Sequence, residues 1–249
     1  AVPSGRYEII AAGDGYRATS DTVTVEVGQT AEATLPLDAL PVVTSQAART
    51  VHIERWVPDV PVFRLEVEAT VTDPDRPDDV AGAALVVDEL GFRVALESTG
   101  PGTYALALDA AALPGGQVQA LLGRPLRLEV TDQLGNAALG PPLALVRVIE
   151  QTPLTASPQG FEFIAENPPT LTWRAAQLPF AFTYRVDLWL VDAAGIPNLV
   201  FSQDGIPPNA LSHAASGPLA AGDYFWTVGV VDAAGNRSRS KEAGFRVAG

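Results

Sequence analysis

The stretch Asp223 to Val247, DYFWTVGVVDAAGNRSRSKEAGFRV, alternates, turns and alternates again. Side chains along a strand repeat with period two, so Tyr224, Trp226, Val228 and Val230 share one face. Asp232-Ala-Ala-Gly235-Asn236 reads as the turn: Gly235 and Asn236 tolerate a positive φ, and Asp232 bonds back to nearby backbone N–H groups. Phe245 and Val247 resume the pattern. The stretch is a β-hairpin that closes a sandwich, and the chain upstream repeats its features. Gly5-Arg-Tyr7, Gly102-Thr-Tyr104 and Gly222-Asp-Tyr224 are three versions of a turn entering a strand. Asp132-Gln-Leu-Gly-Asn136 is the same turn as Asp232 to Asn236, 100 positions earlier (232 − 132). That spacing is about one sandwich domain.

The totals agree with modules in series. A chain of 249 residues, 47% of them hydrophobic, holds two or three small cores and is not disordered. Its 22 Gly and 21 Pro fall mostly between apolar runs, as turn punctuation does. A net charge of −13 argues against nucleic acid, which needs Lys and Arg to neutralise phosphate, and against an anionic membrane surface. With no Cys there is no disulfide, no thiolate metal site and no cysteine nucleophile. No apolar run is long enough for a transmembrane helix, so membrane insertion is not expected. The opening residues AVPSGRYEII carry no signal-peptide pattern, which implies that any export signal lies upstream or has been removed.

Three modules are expected. In the first, residues 1–40, Arg6 to Ala11, Thr22 to Val27 and Thr30 to Leu37 read as strands, with turns at Gly13-Asp-Gly15 and Gly28-Gln29. The run PSGRYEIIAAGDGYRATSDTVTVEVGQTAEATLPL, through Pro3, Gly5, Tyr7, Gly15, Tyr16, Val23, Val25, Gly28, Gln29 and Leu37, resembles the second half of a carboxypeptidase-regulatory-like (transthyretin-like) β-sandwich. A half sandwich of about 40 residues is too small to bury a stable core alone. Residues 41–150 form the second module. Pro41 to Arg55 reads as a polar connector. Phe63, Leu65, Val67, Ala69 and Val71 make an alternating strand, and Ala83 to Val87 with Phe92 to Leu96 a hairpin. Ala110 to Leu122 reads as a short helix or a loop, with Pro114-Gly-Gly116 favouring the loop, and Leu143 to Ile149 closes the module. Its pattern VTDPDxxxDVAGA…GxY…VTDQLGN resembles bacterial immunoglobulin-like surface domains. Residues 151–249 are the third module. LTW, YRVDLWLVD, LAAGDYFWTVGVVDAAGN and FRV together resemble a fibronectin type III domain. That resemblance implies that Trp173 is a core tryptophan and that Tyr224 packs and hydrogen-bonds at a sandwich corner. The expected fold is all-β: tandem immunoglobulin-like and fibronectin III-like sandwiches preceded by a partial transthyretin-like one.

The chemical candidates are few. Asp73, Asp75, Asp78 and Asp79 lie within seven positions, on a loop stiffened by Pro74 and Pro77, and suit a cation such as calcium that takes six to eight oxygens. The opposing reading is that Asp and Pro are ordinary turn residues; the spacing is not that of an EF-hand. His52 and His213 sit in different modules without HxH or HExxH context and read as surface or loop residues. No Gly-rich phosphate loop and no catalytic constellation appears, although two carboxylates at a glycosidase separation are not excluded by sequence. No other cofactor is expected. Trp189 points outward on its strand, opposite Leu188 and Leu190, and suits stacking on a sugar or seating a partner, or equally packing against a neighbouring module. Trp56 lies near a module boundary and suits an inter-domain plug.

The expectation is a non-catalytic, exported structural or interaction protein of a bacterial cell surface: a stalk, adhesin segment or filament component. Its partners would be other modules or subunits, including self-assembly by β-strand exchange, with a surface glycan as a further ligand. The competing reading makes these the accessory modules of a larger secreted hydrolase.

Overall fold

In the computed structural model, residues 2–248 are described. Contacts divide the chain into two compact units. Unit 1 comprises Ala1–Ala47, Val67–Leu106 and Arg124–Ala144; unit 2 comprises Ala48–Glu66, Ala107–Gly123 and Leu145–Gly249.

Unit 1 begins with β1 (Gly5–Ala11), β2 (Tyr16–Arg17) and β3 (Thr19–Val25). β1 and β3 pair antiparallel from Gly5↔Val25 to Ala11↔Thr19 and form a two-stranded sheet. β2 pairs instead with β4 (Asp38–Ala39). No residue of β1 or β3 is buried; among the described residues the first buried one is Ala39. Thr30 to Leu37, expected as a strand, is irregular. Its alternation finds no partner strand, and alternation without a partner satisfies no backbone group.

Pro41 to Arg55, expected as a connector, instead contains the twelve-residue strand β5 (Val42–Ile53). Its inward positions include Thr50 and His52, and polar residues there erase the apolar alternation that marks a strand. β6 (Val62–Thr72) follows, with Leu65, Val67, Ala69 and Val71 buried at period two as the sequence implies. The hairpin of β7 (Val80–Val87) and β8 (Phe92–Ala95) turns through a 3-10 segment ending at Gly91, whose φ is 57°. β9 (Glu97–Gly100) and β10 (Thr103–Asp109) form the next hairpin. Ala110 to Leu121 winds through short 3-10 turns, with Val118 and Leu121 fully buried. β11 (Pro125–Asp132) lies between β7 and β12 (Ala137–Leu139) and buries Leu126, Leu128 and Val130. β13 (Leu143–Ala144) pairs with its first residues and is shorter than the expected closing strand.

Unit 2 is a two-sheet sandwich. One sheet contains β14 (Leu154–Ser157), β16 and β19; the other contains β15 (Glu162–Ile164), β17, β18, β20, β21 and β22. Here β16 is Thr170–Arg174, β17 Phe182–Val191, β18 Pro197–Ile206, β19 Ser212–Ala214, β20 Gly222–Asp232, β21 Arg237–Arg239 and β22 Ala243–Val247. β17 pairs with β20 over ten positions, placing Tyr184, Val186 and Leu188 opposite Val230, Val228 and Trp226. These six are buried with Leu171, Trp173 and Phe245 in one core. Trp173 of one sheet meets Tyr184 of the other edge to face, at 5.4 Å between ring centres. Two polar tips inside the core are bonded: Trp226 Nε1 donates to the Pro158 carbonyl at 2.8 Å, and Tyr184 Oη accepts the Ala176 N–H at 3.0 Å, whereas Trp173 Nε1 is buried without a hydrogen-bond partner. β15 runs parallel to β22, whereas β17 and β20 are antiparallel neighbours.

The corner expected at Tyr224 is present. Its hydroxyl donates to the Ala220 carbonyl at 2.9 Å, and Tyr7 makes the same four-residue reach to Pro3 at 2.7 Å. Tyr224→Phe keeps the ring and loses the bond. It should destabilise unit 2 by about 1 kcal/mol, read by denaturant unfolding. An unchanged midpoint would show that the corner bond contributes nothing. The fold is all-β, and unit 2 is a sandwich of two sheets.

Candidate functional site

The Asp-x-x-Gly-Asn turns supply the polar architecture of both units. In unit 2 the Asp232 N–H donates to the Asn236 carbonyl at 3.0 Å, and the Gly235 N–H donates back to the Asp232 carbonyl at 3.0 Å. Gly235 takes φ 82°, the left-handed conformation that glycine adopts without strain. Asp232 Oδ1 accepts the N–H groups of Ala234 and Asn236 at 2.9 Å each. Asn236 Oδ1 accepts the Thr50 N–H at 2.9 Å, and Arg147 Nε stands 3.3 Å from Asp232 Oδ2. The two polar side chains of the turn, Asp232 and Asn236, are thus buried and hydrogen-bonded, and Asp232 faces a guanidinium, while Ala233 and Ala234 are exposed.

Unit 1 folds the same turn at Asp132, with the same two backbone bonds and Gly135 at φ 82°. Its surroundings differ. The Asn136 Nδ2 donates to Asp132 Oδ2 and to Asp38 Oδ2, both at 2.6 Å. Asp73 Oδ1 accepts the N–H groups of Asp75 and Arg76, at 3.0 and 3.4 Å. Asp75 Oδ2 accepts the Ala39 N–H at 2.6 Å, fastening β4 to the acidic loop. Arg76 pairs with Asp79. Burial, then repulsion from Asp132, Asp79, Asp75 and Asp73, pushes the Asp38 carboxyl above its ordinary pKa. At Asp132 burial works in the same direction, but hydrogen bonds from the Asn136 side chain and from backbone N–H groups of the turn outweigh it and hold the carboxyl below the usual range.

Of the four carboxylates singled out in the sequence, Asp73 and Asp79 are buried, Asp75 is exposed but bonded to Ala39, and Asp78 is exposed. Asp38, Asp132 and Asn136 join them, and sequence reasoning did not include these three. The repeated turn was the available signal for two of them: a second Asp-x-x-Gly-Asn places an Asp and an Asn at a strand end. Among the described residues, no group of three or more His, Asp or Glu side chains is placed to hold a metal ion.

The aromatic and histidine candidates are placed as follows. Trp189 is half-buried and stacks on Phe225 at 5.0 Å. It lines a shallow cleft with Val51, Ile53, Arg185, Arg237 and Arg239. Trp56 is not a plug: it is 58% exposed, its Nε1 donates to the Glu242 carbonyl at 2.7 Å, and Lys241 Nζ lies 4.3 Å from its ring centre. His52 is not a surface residue either. It is buried, stacks on Phe63, has Nδ1 at 3.1 Å from the Ile149 carbonyl and Nε2 at 3.3 Å from Glu54. His213 is half-buried and stacks on Phe201. Among the described residues no helix is long and apolar enough to cross a membrane.

No protein-family model matches the chain, and no curated protein matches its sequence. Two similar solved structures are the fibronectin(III)-like modules of Clostridium thermocellum CbhA and the FN1–FN3 domains of chicken CNTN1. The first is 15% identical, covers 84% of this chain and 93% of its own, and has a TM-score of 0.35. The second is 9% identical, covers 100% of this chain and 79% of its own, and has a TM-score of 0.38.

Proposed function

We propose that the chain is a non-catalytic structural and interaction protein, exported to a bacterial surface, whose copies join by strand addition into a filament. Modules 1–40, 41–150 and 151–249 would be its serial parts, the first of them carboxypeptidase-regulatory-like. The observation that carries this reading is the β1–β3 sheet. It has two strands, both outer edges open, and no buried residue. Ile10 is 65% exposed, and Ile9 is exposed as well. A lone two-stranded sheet is marginal in water, so an added strand or sheet stabilises it. A second open edge lies on the same chain. β18 pairs only with β17, and all its residues except Phe201 and Ile206 are exposed, Leu199 and Val200 included. One open edge docking on a different open edge of the next copy is a head-to-tail contact, which polymerises rather than closing on itself.

The test is light scattering and electron microscopy of the 249-residue chain across concentration. Ile10→Lys and Leu199→Lys each put a charge on one of the two edges, a device that blocks edge pairing. Growth into long particles that each variant abolishes is the expected result. A single-chain mass of 26.1 kDa at every concentration, or growth indifferent to both variants, would overturn the proposal.

A further inference from the structure

Trp56 and Phe161 line one groove of unit 2. It holds about 620 Å³, and Thr155, Gln159, Glu242 and Gly244 line it with them. That volume is in the range of small-ligand sites, which combine apolar ring surface with a few polar groups. Both rings are more than half exposed, and neither belongs to the core of the sandwich. Both are also fixed in place. Trp56 is tied through its Nε1 to the Glu242 carbonyl. The Phe161 N–H donates to the Gly244 carbonyl at 2.8 Å, and its ring lies so close to Gly244 that a Cβ there would stand 2.6 Å from it. Phe161 has φ 58°, the only positive value outside glycine among the described residues. A bulky residue in that conformation is strained, and such strain concentrates at binding sites. No burial of the ring offsets it here.

Two further features set the chemistry of a ligand. The charges around the groove are already matched. The Glu242 carboxylate accepts from Arg239 Nη2 at 2.6 Å. Lys241, over the Trp56 ring, pairs with Asp59, and Arg246, 5.9 Å from the Phe161 ring centre, donates to Asp223. A charged ligand has to displace one of these pairs, and a neutral one displaces none. The polar side chains, in contrast, are unspent. Among the described residues, the Thr155 hydroxyl and the exposed Gln159 amide make no hydrogen bond within the chain. Together they offer donors and acceptors.

We propose that this groove binds a neutral oligosaccharide built of pyranoses with equatorial substituents. Such a ring presents C–H groups on both faces, which pack on an aromatic ring, and hydroxyls around its rim, which suit Thr155 and Gln159. A proline-rich peptide also docks on aromatic rings, but it needs donors for its carbonyls, and the Trp56 N–H is turned inward to Glu242. The proposal stands on other residues than the filament reading and survives its failure.

The test is calorimetric titration of the full chain with cellohexaose and with chitohexaose, both chains of such pyranoses, followed in parallel by tryptophan fluorescence. Binding of at least one, with a blue shift as the exposed Trp56 is covered, is the expected result. Trp56→Ala and Phe161→Gly should each weaken binding about tenfold or more. Glycine accepts the positive φ, so the second variant removes the ring without adding strain. Gln159→Ala alters an exposed, unbonded side chain. It should weaken binding severalfold with the thermal midpoint unmoved, which separates a lost contact from a lost fold. Trp189→Phe, on the outward face of β17, should bind as the unaltered chain does. Absence of heat with both oligosaccharides at millimolar concentration overturns the proposal. So does unaltered affinity in Trp56→Ala, Phe161→Gly and Gln159→Ala, or loss of binding in Trp189→Phe. Binding of decaproline in place of the sugars gives the groove to a peptide and overturns it as well.

Discussion

Trp226→Ala should cost unit 2 about 4 kcal/mol, within the range for deleting a fully buried tryptophan. The ring is 0% exposed and belongs to the core that joins the two sheets of the sandwich. Its cross-strand partner is Leu188, and Ala243 sits opposite on the other side. Neither neighbour is able to fill the space from a paired strand, so the cavity persists. The Pro158 carbonyl loses its donor as well. Trp226→Phe separates these terms: it restores most of the volume and still leaves that carbonyl unpaired, so its loss should be roughly half as large. Denaturant unfolding followed by tryptophan-independent circular dichroism measures both. A loss under about 1 kcal/mol for the alanine variant would mean that the ring does not fill the core as described.

Gly102→Ala should cost unit 1 about 3 kcal/mol, from a left-handed residue and a backbone clash together. Gly102 has φ 64°, and a Cβ there would lie 2.6 Å from the Val71 carbonyl oxygen. That oxygen has nowhere to go, because Val71 is buried in β6 and its N–H donates to the Gly102 carbonyl at 2.8 Å. Gly91 gives the matched control. It has φ 57° with nothing within 4 Å of the added Cβ, so Gly91→Ala pays the conformational cost alone, about 1 kcal/mol. Equal losses in the two variants would show that the approach to Val71 is not tight.

The parts of the fold that could be read in advance are those with apolar alternation on one face. β20, β17, β6 and β11 all show it, whereas the corner at Tyr224 came from the resemblance of its module to a fibronectin type III domain. β5 could not be read this way, because two of its inward positions are Thr50 and His52. Their partners, Asn236 and Ile149, lie 186 and 97 positions away, and no local pattern announces them. Thr30 to Leu37 shows the opposite failure: the pattern is present, and no strand lies alongside to use it. The acidic cluster was half legible for a related reason. Asp73 and Asp79 are close in sequence, and the spacing of the loop alone exposes them to notice. Asp38 reaches the cluster through the pairing of β4 with β2, and Asp132 through that of β11 with β7. Asp78 shares the loop and faces water, because a turn so short cannot direct neighbouring side chains the same way.

The parallel pairing of β15 with β22 acquires a further meaning once the chain is pulled lengthwise. Glu162, Phe163 and Ile164 match Phe245, Arg246 and Val247 in order. Tension entering from the backbone on either side drags β22 toward its C-terminus and β15 toward its N-terminus, so the strands slide past each other and their hydrogen bonds strain together. The β1–β3 pair meets the same load at its mouth, where Gly5 faces Val25. There the bonds open one after another, as in a zipper. One polypeptide thus carries an element that yields at low force and another that holds, and a single-molecule pulling trace should show the hairpin opening well before the sandwich.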